Sequence, residues 1–263
     1  MIRLHNDYNR GACGKILEKL AQINGESYDG YGEDTWCEKA AKLIREKCKA
    51  PEAAIHFLPG ATQANFIVHA AALSPIQSVI CPDSGHVYAH EAGSIENTGH
   101  KLVPLPSTDG KISAEQIREV AASYYNSGEP NYICEPKMVY ISFPTEWGTI
   151  YSEQELREIR KVCDEYEMYL FADGARLGYG LVAETDVTLK DIANYTDVFY
   201  IGGTKVGALC GDWRDQVRRF IWRGTGDHKQ EAGAEVPYLY ETERSRSGKR
   251  MASWDAVLCP VRG

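Results

Sequence analysis

The segment Tyr200-Ile201-Gly202-Gly203-Thr204-Lys205 is an apolar run that passes through two glycines and ends on a lysine. An earlier apolar run, Tyr169-Leu170-Phe171-Ala172, ends on Asp173. Short apolar runs without polar alternation are typical of strands that are buried on both faces. The two segments therefore predict two buried strands, one of which ends at a carboxylate and the other at an amine.

Helical and strand patterns alternate from about residue 35 to about residue 201. Helices are predicted over 38–45 and 62–73, and two more open at the capping boxes that begin with Ser113 and Ser152. Further strands are predicted over 53–58, 78–81, 101–104 and 138–143. This alternation predicts an α/β fold with a mostly parallel sheet that helices cover on both faces. Ligands of such sheets bind outside the carboxyl ends of the strands.

The composition is that of an ordinary globular protein, with 263 residues, 43% hydrophobic residues and 25% charged residues. The formal net charge of −8 argues against nucleic acid or an anionic membrane as a partner. No segment resembles a signal peptide or a spanning helix, so a cytoplasmic location is expected. The eight cysteines are scattered without metal-ligand spacing, which predicts reduced thiols and no zinc site.

A phosphate site is one interpretation of Gly60, Ala61 and Thr62, which join a predicted strand to a predicted helix. Glycine lets the backbone approach a ligand, and the free N–H groups of a first helical turn attract an anion. The alternative is a simple helix cap, which is the more frequent role of glycine-threonine turns.

Three further side chains follow predicted strands and suit chemistry on a pyridine ring. His86 follows the second strand, where an imidazole can lie on an aromatic ring or move protons. Asp173 can pair with a pyridinium, and Arg176 can reach a ring hydroxyl or a substrate carboxylate. The alternatives are a histidine with structural hydrogen bonds and an ion pair within the chain.

Lys205 completes this set, because the two glycines before it leave room for a bulky cofactor. A lysine amine can hold the aldehyde of pyridoxal 5'-phosphate (PLP) as a Schiff base, while a carboxylate keeps the pyridine nitrogen protonated. A solvated lysine beyond a turn is the alternative. Signals at four sheet-end loops together favour a PLP site over four independent structural roles.

The chain resembles a known family through a set of motifs that extends from residue 1 to about residue 211. The motifs are Asn6-Asp7-Tyr8, Gly30-Tyr31-Gly32-Glu33-Asp34, His56-Phe57-Leu58-Pro59-Gly60-Ala61-Thr62-Gln63, Gly85-His86, Tyr140-Ile141-Ser142, Phe171-Ala172-Asp173-Gly174-Ala175-Arg176-Leu177-Gly178 and Gly202-Gly203-Thr204-Lys205. They resemble those of the threonine aldolase / β-eliminating lyase family of fold-type-I PLP enzymes. The resemblance implies an N-terminal arm over 1–34 and a PLP-binding large domain over 35–211.

The resemblance also implies roles for individual residues. Lys205 would form the Schiff base with PLP, Asp173 would hold the pyridine nitrogen, and His86 would stack on the ring. Gly60, Ala61 and Thr62 would bind the phosphate.

Contacts with the substrate and with other subunits are implied as well. Arg176 would contact the ring oxygen or the substrate, and Asn6 falls where relatives contact the substrate carboxylate. Tyr31 would approach the site of a neighbouring subunit, which implies a homodimer or a homotetramer.

The character of the sequence changes after Gly211, where a 212–263 tail becomes rich in arginine and shows no helix or strand period. A flexible basic tail is one explanation, whereas the family continues into a C-terminal domain. A suitable choice of codons for Gly248 to Gly263, read one base later, encodes AKGWRLGMQFFALFE, which resembles that domain. In this frame Met251-Ala252 forces a tryptophan and Trp254-Asp255 a glycine. We therefore hypothesise a frame shift from about residue 212 onward and an incomplete C-terminal small domain.

The sequence favours a PLP-dependent aldolase that cleaves a β-hydroxy-α-amino acid, such as L-threonine, to glycine and an aldehyde. The base that takes the β-hydroxyl proton would be His86 or an ordered water. Within the same cofactor class, β-elimination and transamination stay open. A truncated, non-catalytic remnant is the alternative of a different class, because loss of a C-terminal domain would expose apolar surface.

Overall fold

The computed structural model describes residues 5–208 and the backbone of residues 218–222. The helices of this part are α1 (Gly14–Ile23), α2 (Thr35–Cys48), α3 (Ala61–Ala72), α4 (His86–Ala89), α5 (Ala114–Tyr125), α6 (Glu153–Glu165), α7 (Leu177–Val182) and α8 (Leu189–Tyr195). The strands are β1 (Ala54–Leu58), β2 (Gln77–Pro82), β3 (Lys101–Leu105), β4 (Glu135–Ser142), β5 (Tyr169–Asp173), β6 (Val198–Gly202) and β7 (Arg218–Trp222). Short 3₁₀ helices lie at Glu96–Thr98, Pro130–Tyr132 and Thr204–Val206.

The described strands form one sheet in the order β1-β7-β6-β5-β4-β2-β3. The pairs β3/β2, β2/β4, β4/β5 and β5/β6 are parallel, and β7 is antiparallel to both of its neighbours. This sheet confirms the predicted α/β fold with a mostly parallel sheet. Ser142 at the end of β4 lies opposite Asp173 at the end of β5. Residues that end different strands therefore meet at one edge of the sheet, as the sequence analysis expects.

The two faces of the sheet are covered by two separate hydrophobic clusters. Along β4, Val139 and Ile141 belong to one cluster, whereas Met138 and Tyr140 belong to the other. This alternation follows from the period of two in a strand. The first cluster also contains buried residues of α2, α5, α6 and α8, and the second contains residues of α3 and α4. A strand covered on both faces has no polar face, which explains the continuous apolar runs.

Both predicted capping boxes are present and fix where α5 and α6 begin. The Ser113 hydroxyl accepts from the Gln116 N–H at 3.2 Å, and the Gln116 side chain accepts from the Ser113 N–H at 2.9 Å. Ser152 and Glu155 make the same reciprocal pair, at 3.2 Å and 2.7 Å. The side chain thus replaces the missing intrahelical partners of the first turn.

Two glycines let the loop after β5 approach the end of β6. A Cβ on Gly174 would lie 1.7 Å from the Tyr200 carbonyl oxygen, and a Cβ on Gly202 would lie 2.4 Å from the Ala175 carbonyl oxygen. The Gly202 N–H donates to the Gly174 carbonyl at 2.8 Å across this contact. The glycines therefore bring the residue after Asp173 against the strand that leads to Lys205.

The structure departs from the sequence analysis in the tail, where the analysis finds no strand period. The backbone of Arg218–Trp222 forms β7, which pairs with β1 and β6. A five-residue strand carries little periodic signal, and its pairing on both sides is a tertiary property. The remaining tail, with the expected C-terminal domain and the proposed frame shift, lies outside the described residues. Within the described residues, no helix is long and apolar enough to cross a membrane.

Candidate active site

A cavity of about 280 Å³ opens at the carboxyl ends of the parallel strands. Six residues that the sequence analysis assigns to the site line it, namely Ala61, Thr62, His86, Asp173, Arg176 and Lys205. The other lining residues are Tyr8, Ser142, Pro144, Glu146, Ala175 and Tyr200. The structure thus brings together side chains that lie far apart in the sequence, in a cavity near the lower end of the roughly 300–1,000 Å³ usual for small-molecule sites.

The N-terminus of α3 faces this cavity. Gly60 precedes the helix and makes no side-chain capping hydrogen bond, and Ala61 and Thr62 line the cavity. The first N–H groups of a helix lack intrahelical partners and carry a partial positive charge. This end of the cavity is therefore suited to a phosphate group.

Asp173 is a buried carboxylate that stays ionised. Its Oδ2 accepts from the Tyr140 hydroxyl at 2.6 Å and from the Asn65 amide at 3.3 Å, and its Oδ1 accepts from the Ala175 N–H at 2.9 Å. Burial raises the pKa of Asp173, but the charge of His86 and the hydrogen bonds from tyrosine outweigh it, so the net pKa lies below the ordinary value. A negative charge is thus held at the base of the cavity.

His86 begins α4 and is oriented by a buried glutamate. Its Nδ1 lies 2.7 Å from Oε1 of Glu91, whose side chain is fully buried. Glu91 is itself held by the Asn65 amide at 2.6 Å and the Ser94 hydroxyl at 2.8 Å. Burial lowers the pKa of His86, but the Glu91 hydrogen bond and the charge of Asp173 exceed that effect, so the net pKa is raised. The imidazole is therefore fixed and biased toward its protonated form.

Lys205 lies in the short 3₁₀ helix after β6 and is 8% exposed. Its Nζ lies 4.0 Å from Oδ1 of Asp7 and 6.0 Å from the centre of the Tyr8 ring. The Tyr179 hydroxyl donates to the Lys205 carbonyl, which fixes the backbone. The amine is thus held at the cavity by tertiary contacts, not left in solvent as the alternative interpretation requires.

Arg176 forms a fork-shaped ion pair with Asp7. Its Nε donates to one carboxylate oxygen and its terminal nitrogen donates to the other, at 3.2 Å. Burial lowers the pKa of Arg176, but the pair with Asp7 outweighs this and the net pKa is raised. The guanidinium thus stays charged at the cavity.

Three of the predicted site residues, namely Gly60, Asn6 and Tyr31, are not among the residues that line the cavity. Gly60 lies immediately before α3. The Asn6 side chain accepts from the Tyr8 N–H at 3.1 Å, so it shapes the arm next to the site. Tyr31 is 68% exposed and has a positive φ of 64°. The proposed contact of Asn6 with the substrate and that of Tyr31 with a neighbouring subunit remain predictions.

Sequence reasoning gave no role to several residues that the structure places at the site. Asp7 pairs with Arg176, Glu91 orients His86, and Tyr140 donates to Asp173. Glu146 follows β4 and lines the cavity. Asp7, Tyr140 and Glu146 lie in or beside motifs, so their position was a usable signal. Glu91 carried no such signal, because only packing brings it under His86.

The donor set fits PLP better than a metal ion. A buried ionised carboxylate, a buried lysine and an uncapped helix N-terminus line one cavity, which matches a pyridine nitrogen, an aldehyde and a phosphate. Among the described residues, no group of three or more His, Cys, Asp or Glu side chains could hold a metal ion.

Comparison with known proteins gives a consistent result. The family model described as beta-eliminating lyase matches residues 4–212. Low specificity L-threonine aldolases from Pseudomonas aeruginosa and from Pseudomonas sp. (strain NCIMB 10558) are 29% and 31% identical over 211 residues. Each match covers 79% of this chain and 59% of the relative, so the chain spans less than two thirds of the length of these curated relatives.

Solved structures show the same similarity. A threonine aldolase from Leishmania major is 42% identical with a TM-score of 0.80, over 89% of this chain and 65% of that protein. An aminotransferase from Escherichia coli is 15% identical with a TM-score of 0.68, over 90% of this chain and 57% of the other. The second match concerns the fold alone.

Proposed function

Because the chain belongs to the beta-eliminating lyase family, we propose that it is a PLP-dependent aldolase. It would cleave β-hydroxy-α-amino acids such as L-threonine to glycine and an aldehyde. The names of the Pseudomonas and Leishmania relatives support this substrate class. The observation that carries the proposal is the meeting of Asp173, Lys205 and the α3 N-terminus in one cavity.

Five residues of the chain would hold the cofactor. The Lys205 amine would hold its aldehyde, and the ionised Asp173 would keep the pyridine nitrogen protonated. The α3 N-terminus at Gly60, Ala61 and Thr62 would bind the phosphate. When bound, PLP supplies an electron sink for the pair released at the substrate α-carbon.

The remaining side chains position the reactants. His86, fixed by Glu91, would form a flat wall against the cofactor ring. Arg176 would receive the ring oxygen or the substrate carboxylate, since its planar fork suits both. In the structure the guanidinium of Arg176 is paired with the Asp7 carboxylate. A substrate carboxylate that binds to Arg176 would therefore displace Asp7.

β-Elimination by the same residues is the alternative within the family. A non-catalytic remnant is a further alternative, which binding of PLP would distinguish from an enzyme.

Absorption spectroscopy and product analysis test the proposal. The purified chain with added PLP is expected to show a visible absorption band that Lys205→Ala abolishes, and to release acetaldehyde from L-threonine. Lys190→Ala is the matched control, since it also removes one ammonium group, and Lys190 is exposed and does not line the cavity. A soluble but colourless wild-type protein would contradict the proposal and favour the remnant.

We also propose that the protein is a cytoplasmic homodimer or homotetramer. The cysteines of the described residues are free thiols, which supports this location because disulfides form and persist mainly in oxidising compartments. The exposed Leu17 and Leu20 of the N-terminal arm, which carry apolar surface on α1, support association.

A further inference from the structure

Glu146 is a half-buried residue with one buried carboxylate oxygen, and the family resemblance gives it no role. It follows β4 in a turn that Thr145 and Thr149 close, with the Thr145 N–H donating to the Thr149 carbonyl at 2.9 Å. The side chains of the two threonines are 2.7 Å apart, and Thr145 is buried. The turn therefore holds Glu146 at the wall of the cavity, which it lines.

The two carboxylate oxygens of Glu146 differ. Oε1 accepts from the His86 backbone N–H at 3.0 Å and from the Ser142 hydroxyl at 2.5 Å. Oε2 is buried and makes no hydrogen bond within residues 5–208. A buried acceptor without a donor is costly, so it marks a place where a ligand donor would be accommodated.

The proton affinity of Glu146 suits this position. Burial and then the charge of Asp173 raise its pKa, while Ser142 and the His86 N–H only partly oppose them. A carboxylate with a raised pKa is a better proton acceptor near neutral pH. The His86 ring is biased toward its protonated form by Glu91 and Asp173, and a protonated imidazole cannot accept a proton.

Several other groups interact electrostatically with Glu146 and contribute to its titration. They are Asp173 of β5, Tyr140 of β4, Cys81 of β2, His86 of α4, Arg176 before α7 and Tyr151.

We propose that Glu146 is the catalytic base that takes the proton from the β-hydroxyl of the substrate, a role that rests on the proposed aldolase function. The hydroxyl proton moves to Oε2, and the O–H electron pair becomes the second bond of the aldehyde carbonyl. The Cα–Cβ bond breaks and leaves its electron pair at the α-carbon, which takes a proton from water to complete glycine. Protonated Glu146 then gives its proton to the hydroxide that remains. In the direction of synthesis, protonated Glu146 returns its proton to the aldehyde oxygen.

Glu146→Gln tests this role, because the amide keeps an oxygen for the Ser142 and His86 donors but cannot take a proton. We expect kcat/KM for threonine cleavage to fall by about 10²–10⁴-fold. Glycine has no β-hydroxyl, so exchange of its α-proton in D₂O, followed by NMR, should stay within about twofold of wild type, as should the visible absorption band. Glu119→Gln, on the exposed face of α5, is the matched control.

Ser142→Ala gives a second, independent test. The Ser142 hydrogen bond lowers the pKa of Glu146, so its removal should raise that pKa. Because the base form exists above the pKa, the acid limb of threonine cleavage should move to higher pH, with glycine exchange unchanged. In Glu146→Gln this limb should be absent.

Each remaining outcome overturns a specific claim. Near-wild-type threonine cleavage by Glu146→Gln would overturn the role of Glu146 and leave the aldolase function intact. Equal loss of cleavage, glycine exchange and absorption band would show that Glu146 maintains the site instead of accepting this proton, and would also overturn the role. A wild-type chain that neither binds PLP nor cleaves threonine would overturn the aldolase function, and this inference with it.

Discussion

At the scale of single residues, the charged side chains of the cavity shift one another's pKa. Asp173 has a lowered pKa partly because of His86, and His86 has a raised pKa partly because of Asp173. Glu91, whose side chain is fully buried beside His86, raises the pKa of His86 further. Burial alone would neutralise both Asp173 and His86. Their pairing therefore keeps a buried site ionised.

Glu91→Gln is predicted to lower the pKa of His86, because a neutral amide no longer stabilises the imidazolium. NMR titration of the His86 ring protons measures this shift. Glu96→Gln is the matched control, since Glu96 is exposed in the same segment and its substitution removes the same charge. An unchanged His86 pKa in Glu91→Gln would contradict the account of the pair.

The same substitution has a predictable effect on stability. A group whose pKa is raised on folding contributes stability below its unfolded pKa, and loses it as the pH rises through the folded pKa. The stability that His86 gains from Glu91 should therefore be present in mildly acidic solution and absent in alkaline solution. Denaturant unfolding should show a larger wild-type advantage over Glu91→Gln at the acidic end.

At the scale of elements, a close backbone contact between the loop after β5 and the end of β6 positions the site. Gly174 after β5 and Gly202 at the end of β6 lie against backbone carbonyls of Tyr200 and Ala175. This contact joins the loop that carries Asp173 to the strand that leads to Lys205. The sequence shows the glycines but cannot show which backbone each of them meets.

Gly174→Ala is predicted to destabilise the protein by about 1–3 kcal/mol or more, because the new Cβ would overlap a backbone atom that cannot rotate away. Urea unfolding measures the change. Gly128→Ala is the control, since a Cβ there meets nothing within 4 Å. Equal free energies of unfolding for the two variants would contradict this prediction, because they would show that the loop after β5 can move away from β6 with little loss of stability.

At the scale of the whole molecule, the sheet extends further along the chain than the family match does. The family match ends at residue 212, and the chain spans 59% of the Pseudomonas relatives. Yet β7, at 218–222, completes the sheet between β1 and β6. The sheet therefore includes residues of the tail that lie beyond the end of the family match.

Resequencing the gene is predicted to reveal a frame shift near the codon of residue 212. The corrected chain should continue the family sequence, show more acetaldehyde release than the present chain, and elute as a dimer or tetramer in light-scattering measurements. An intact frame that encodes this same tail in independent copies of the gene would reject the frame shift.

The sequence by itself determined the fold class, because strands covered on both faces leave continuous apolar runs and capping boxes mark helix starts. It also determined six of the lining residues, since chemically active side chains after parallel strands must converge at one edge. Only the tertiary structure decided that Glu91 orients His86, that Asp7 pairs with the guanidinium of Arg176, and that Glu146 lines the cavity with one buried carboxylate oxygen left without a hydrogen bond. These contacts join residues through packing, and no local pattern encodes which distant side chain fills a given space.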